Sequence, residues 1–262
     1  MSLSTPPYPL PHAGHDLSGQ VAIITGASSG LGARFARVLA ACGATVAICA
    51  RREDRLTELA AEIAGDGGRT MPFALDVADQ AQCISLAERV EAALGPVSIL
   101  INNAGIPDAA RAHKLPIDLF NQVMAVNVHA PWLLSTSLAA RRIADGSPLR
   151  IVNIASMAAF EYGGHGAALY SMTKAAVVRM TEVLAVEWAR HPINVNAIAP
   201  GAFASEMMDG MLARMGDITA GFRRKRLGDP ALMDSTLLHL VSPASEAVTG
   251  TIIKIDDGQS NR

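Results

Sequence analysis

Seven short apolar runs, separated by longer amphipathic stretches, restrict what this chain can fold into. They are "VAIIT" (21–25), "TVAICA" (45–50), "TMPFAL" (70–75), "VSILIN" (97–102), "RIVNIA" (150–155), "INVNAIA" (193–199) and "TIIKI" (251–255). The runs are nearly continuous rather than alternating, the pattern of strands covered on both faces. Segments 30–42, 53–64, 79–94, 117–143 and 170–190 carry helical periodicity. Strand–helix alternation at this spacing predicts an α/β fold: a seven-stranded parallel sheet, doubly wound by helices on both faces, in one domain. Right-handed crossovers then place a ligand site at the carboxyl ends of the strands.

The remainder of the chain sets limits. Residues 1–17 hold four prolines, two histidines and no apolar run, so they read as an extended or disordered leader rather than a signal peptide, with the domain spanning 18–262. No stretch reaches the ~18 uninterrupted apolar residues of a membrane span, and a net charge of −2 gives no argument for nucleic acid. Cys42, Cys49 and Cys83 form no Cys-x-x-Cys and read as small core residues in a reducing, cytoplasmic setting. No histidines or acids pair at ligand spacing, so no metal is expected. Region 202–229 breaks the rhythm. Met207, Met208, Met211 and Met215 recur there at helical spacing, as a hydrophobic substrate wall or as a packed helix. The run "RRKR" (223–226) reads as a solvated face, with docking of an anionic carrier as the lesser reading.

"TGASSGLG" (25–32) follows the first strand and opens the first helix. Glycines let a pyrophosphate approach the backbone, and the free amides of a helix start form an anion site, so Gly26, Ser28, Ser29, Gly30, Leu31 and Gly32 are candidate dinucleotide contacts. An NAD site would place an acid at the end of the second strand; here Ala50 is followed by Arg51 and Arg52. A guanidinium grips a 2′-phosphate that a carboxylate would repel, so NADP is favoured over NAD. The alternative is two solvated arginines at a helix start.

Tyr170 precedes Lys174 by four residues, which returns to nearly the same helix face. An ammonium ~5 Å from a phenol, at an effective dielectric of ~20, favours the phenolate by roughly 3 kcal/mol and lowers its pKa by about two units. Tyr170 is therefore expected to exchange protons near neutral pH. Ser156 ends the strand "RIVNIAS", at the sheet edge where a carbonyl could accept hydrogen bonds from both hydroxyls. Tyr162 and His165, between them in sequence, read as pocket wall or surface.

Taken together these motifs resemble the short-chain dehydrogenase/reductase family over nearly all of residues 18–258. "LDV" (75–77) is similar to its adenine-contacting segment, with Asp76 and Val77, and "NNAG" (102–105) supplies Asn103, Ala104 and Gly105. "NVHAP" puts Asn127 at the position of the family's active-site asparagine, and Ser156, Tyr170 and Lys174 fall on the catalytic serine, tyrosine and lysine. "APG" (199–201) resembles the turn beside the nicotinamide, with Pro200, Gly201, Phe203 and Ser205 as contacts. The resemblance implies a Rossmann-type fold and a nicotinamide oxidoreductase that interconverts alcohol and carbonyl. Tyr170 is its acid/base, and Lys174 also holds the nicotinamide ribose. Residues 202–229 would be a substrate lid and the protein a homotetramer or dimer. Two departures stand out: thirteen residues separate Ser156 from Tyr170, about one more than in many members, and Ser205 replaces the threonine expected after the Pro-Gly turn. The substrate expected is a mainly apolar small molecule. A 3-oxoacyl thioester reductase is the alternative, and a non-catalytic cofactor-binding regulator a lesser one.

Overall fold

The computed structural model describes residues 14–164 and 166–260. Apolar β-branched runs become strands β1 (Val21–Thr25), β2 (Thr45–Ala50), β3 (Arg69–Ala74), β4 (Ile99–Asn102), β5 (Leu149–Ile154), β6 (Ile193–Pro200) and β7 (Ile252–Ile255). They pair in parallel, in the order β3-β2-β1-β4-β5-β6-β7. The chain runs outward from β1 to β3, then returns to place β4 on the other side of β1. The strand order therefore reverses between β1 and β4, where a doubly wound sheet opens a crevice.

Helices α1 (Gly30–Ala41), α2 (Glu53–Gly65) and α8 (Asp234–Val241) cover one face, and α3 (Gln80–Leu94), α5 (Ala130–Asp145) and α6 (Ala168–Glu187) the other. Alternate strand residues feed opposite cores: Ile23 packs with Leu86, Leu138 and Leu184, while Ile24 packs with Phe35, Leu56 and Leu237. The expectation of strands buried on both faces fails at the sheet edges. β3 exposes Met71, and Pro72 is tolerated there because an edge strand can spare an N–H. Leu17, assigned to the leader by sequence, is 1% exposed and its N–H donates to the Cys42 carbonyl at 2.8 Å. It belongs to the core, whereas residues 1–13 lie outside the described residues.

Segment 117–143 was expected as one helix. It is instead α4 (Ile117–Met124), a π-turn (Ala125–His129) and α5. The rod Ile117–Asp145 is long and apolar enough to cross a membrane by length and composition alone, but half of its most apolar part is buried against this domain. Region 202–229 holds α7 (Glu206–Met215), with no buried residue, followed by short turns. The basic run is partly tied down, since Asp257 accepts from Arg226 Nε at 2.7 Å and also pairs with Arg224.

Candidate active site

Thr25 ends β1, and the chain turns into α1 through Gly26 (φ +67) and Gly30 (φ +52). A Cβ on Gly32 would lie 2.4 Å from the Gly26 carbonyl oxygen, and one on Gly26 would lie 2.9 Å from Ala104 Cα. Only glycine fits at either position. Ser29, at the start of α1, makes no side-chain cap, which leaves first-turn amides for an anion. Thr25 itself went unread in the sequence. Its Oγ1 accepts from the Asn103 and Ala104 N–H groups at 3.1 and 3.0 Å. Asn103 Nδ2 donates to the carbonyls of Thr25 (2.9 Å) and Gly26 (3.2 Å). Asn103 and Ala104 thus brace the glycine turn across the β1/β4 crevice. Beyond them, a Cβ on Gly105 would lie 3.4 Å from Lys174 Nζ and 3.6 Å from Asn127 Oδ1, so this turn reaches the catalytic candidates. Asp76 closes a short turn, accepting from the Ala78 N–H at 3.0 Å, and Val77 packs onto the core.

At the other end of the glycine turn, Arg52 folds over it. Arg52 Nη2 donates to Ser28 Oγ (2.9 Å) and Ser29 Oγ (3.0 Å), while Nη1 meets Glu206 Oε2 at 3.0 Å. Arg55 also pairs with Glu206, and its hydrogen bond, more than that of Arg52, holds the carboxyl below its usual range. Glu206 opens α7, so the region expected as a lid is joined to the glycine turn. Arg51 is exposed and has no polar partner among the described residues.

The catalytic candidates converge at the end of β5. Tyr170 sits in the first turn of α6 and Lys174 one turn on, with Nζ donating to the Ile154 carbonyl at 2.7 Å and lying 5.6 Å from the Tyr170 ring centroid. Ser156 follows β5 in extended backbone, and its Oγ accepts from the Ala158 N–H at 3.1 Å. Asn127 sits in the π-turn; its Oδ1 accepts from the Ile106 N–H and its Nδ2 donates to the Ile106 carbonyl, both at 2.9 Å. That amide also reaches Thr173 Oγ1 at 3.1 Å. Beneath them Asn102 Nδ2 donates to Asn153 Oδ1 (2.8 Å) and Ser135 Oγ (3.0 Å), and Asn153 Nδ2 to Thr181 Oγ1 (2.9 Å). This buried polar network joins β4 and β5 to the helices behind them.

Residues 20–215 match the family model for short chain dehydrogenases. The chain belongs to this family. It is an oxidoreductase acting on CH–OH groups with a nicotinamide cofactor, and the glycine cradle and uncapped amides above fit such a group. Gluconate 5-dehydrogenase of Gluconobacter oxydans is 33% identical, over 92% of this chain and 95% of the relative. Galactitol 2-dehydrogenase (L-tagatose-forming) of Cereibacter sphaeroides is 35% identical, over 92% and 95%. A Beutenbergia cavernae protein, provisionally assigned as an NAD(P)-dependent gluconate 5-dehydrogenase and solved with NADP at low occupancy, superposes with a TM-score of 0.87. It is 37% identical, with 94% of this chain and 98% of that one covered.

Within the short-chain dehydrogenase frame one expectation needs correction. Burial raises the Tyr170 pKa above the ordinary phenol value, with Ser156 opposing it, the opposite direction from the lowering expected beside Lys174. The ammonium is itself desolvated, its pKa pushed down to about 8, and it is engaged by Ile154. Phe203 is 3% exposed, and a Cβ on Gly228 would lie 2.5 Å from its ring, so the phenyl group is core and leaves only backbone for a cofactor. Ser205 Oγ accepts from the Met208 N–H at 3.2 Å, capping α7. Pro200 ends β6, and at Gly201 a Cβ would lie 2.4 Å from Gln259 Oε1. Tyr162 is 52% exposed in the loop after Ser156, whereas His165 lies outside the described residues.

Proposed function

We propose that this enzyme interconverts a secondary alcohol and a ketone on a polyhydroxylated small molecule, with NADP(H) preferred over NAD(H). The observation that carries the reading is the convergence of Ser156, Tyr170 and Lys174 at the end of β5, with Lys174 Nζ 2.7 Å from the Ile154 carbonyl. Bound in the crevice, the cofactor supplies the hydride chemistry. Tyr170, kept as a neutral phenol by burial, donates its proton to a carbonyl oxygen in reduction; in oxidation it first releases that proton and then, as phenolate, takes the one from the alcohol hydroxyl. Ser156 orients that oxygen and stabilises its developing charge. Lys174 places a cation beside the phenol and toward the ribose, and Asn127 holds the neighbouring backbone at Ile106.

The polyol reading follows the names of the relatives and departs from the mainly apolar substrate expected from sequence. The thioester alternative needs an anionic-carrier dock, and two of the four basic side chains at 223–226 are already occupied by Asp257. Preference for NADP rests on Arg51 and Arg52 at the end of β2, where Ala50 supplies no acid. A homo-oligomer is supported by the outer face of α5 and α6, where Trp132 and Val183 are exposed beside an apolar hollow of ≈ 360 Å³ lined by Val128, Leu133 and Met180.

Tyr170→Phe, followed by nicotinamide absorbance on a panel of polyols and sugar acids, is expected to lose about 10³-fold in turnover with NADPH binding retained. Normal turnover by this variant overturns the reading.

A further inference from the structure

The catalytic helix begins without a cap of its own. Ala167 precedes α6 and offers no side-chain acceptor. Instead Asp108, in the loop between β4 and α4, accepts from the Leu169 N–H with Oδ2 at 3.0 Å and from the Tyr170 N–H with Oδ1 at 2.9 Å. The partners are 61 and 62 residues apart in sequence, and Asp108 is 2% exposed. Both carboxylate oxygens are therefore committed to the first turn that carries the phenol, where the helix dipole also favours negative charge.

The same loop is held on either side of Asp108. Ile106 is gripped through both backbone atoms by Asn127, whose amide also bonds Thr173 in α6. Beyond it, a Cβ on Gly166 (φ +76) would lie 3.5 Å from the Ala110 carbonyl carbon, so the loop after Ser156 rests on the loop after β4.

We propose that Asp108 is a positioning residue for proton transfer: it fixes the Tyr170 backbone against the 106–116 loop and makes the two loops flanking the substrate mouth one rigid unit. The proposal rests on Tyr170 being the acid/base. A displacement of about 1 Å at a reacting group is enough to cost ~10²-fold in rate, and freeing the first turn of α6 invites a displacement of that order.

Two variants test it. Asp108→Ala removes both acceptors and is expected to lower kcat about 10²-fold, while Asp108→Asn keeps one acceptor and is expected to lower it about tenfold. In both, NADPH titration by fluorescence should give close to one site per chain and a Kd within about twofold of wild type. A kcat within about twofold of wild type for Asp108→Ala overturns the proposal. So does turnover that falls only in proportion to lost NADPH sites, which marks a merely structural role. Tyr170→Phe run alongside separates the two ideas. If it is inactive while Asp108→Ala is normal, only the positioning role fails; if it is active, the acid/base reading fails whatever Asp108 does.

Discussion

The two ends of the cofactor crevice are built from opposite materials. At the catalytic end Lys174 and Asn127 are 4% and 1% exposed, and each is bonded to backbone on a different element. At the adenosine end Arg52, Arg55 and Glu206 keep 42–48% of their side-chain surface and hold one another mainly by charge. Buried polar groups with fixed partners are expensive to disturb, whereas exposed ion pairs contribute ~0–1 kcal/mol. The chemistry proposed above would therefore be fixed by the fold, while the proposed choice of cofactor would rest on contacts that are easily exchanged.

The sharpest way to break this contrast is Lys174→Met. Turnover should fall by about 10²-fold or more, yet the protein should become more stable. The lysine pKa drops from 10.5 to about 8 on folding. Between those values the unfolded chain holds a proton that the folded chain has released, so stability rises with pH across this window and is lowest below it. The cost near neutral pH is about 3 kcal/mol, less whatever the freed Ile154 carbonyl reclaims in the variant. Urea titrations at pH 7 and pH 10 check it: the stability gap between variant and wild type should narrow at the higher pH. Wild-type turnover should likewise decline as pH rises through about 8, as the ammonium is lost.

At the exposed end the expected effects are smaller. Arg51→Ala should weaken NADPH binding about tenfold, a typical loss for one charge-assisted hydrogen bond, and leave NADH unchanged. A preference for NADH in the wild type would overturn the role given to Arg51. Smallest is Glu206→Gln. Removing a carboxylate that competes for Arg52 should tighten NADPH binding about two- to fivefold at low salt, fading at high salt. Calorimetry at two ionic strengths reads this, and weaker binding in the variant would mean that Glu206 supports the site rather than competes for it.

The same contrast explains what could be read from the sequence. The strands and the glycine turn were legible because they are local: apolar runs of strand length, and glycines where any side chain would strike Gly26 or Ala104. Tyr170 and Lys174 were legible through helical spacing. The direction of the Tyr170 pKa was misjudged because spacing reports a nearby charge but not the burial that raises it. Phe203 and Ser205 were assigned by motif; what the motif could not show is that the Phe203 ring packs in the core and that Ser205 caps α7. Thr25 and Asp108 escaped notice because each acts on backbone far along the chain, and no periodicity records such a partner.

The π-turn at Ala125–His129 has a consequence for how this helix can change. A π-turn holds one residue more than the α-helical repeat allows, and each residue of helix advances the phase by about 100°. Deleting a single residue there would close the widened turn and leave Leu134 and Leu138 on the sheet they now cover, while Asn127 would lose the turn that carries it. The extra residue thus sets the place of Asn127 while α5 keeps its phase. A chain of this kind cannot straighten the rod without also unseating the asparagine.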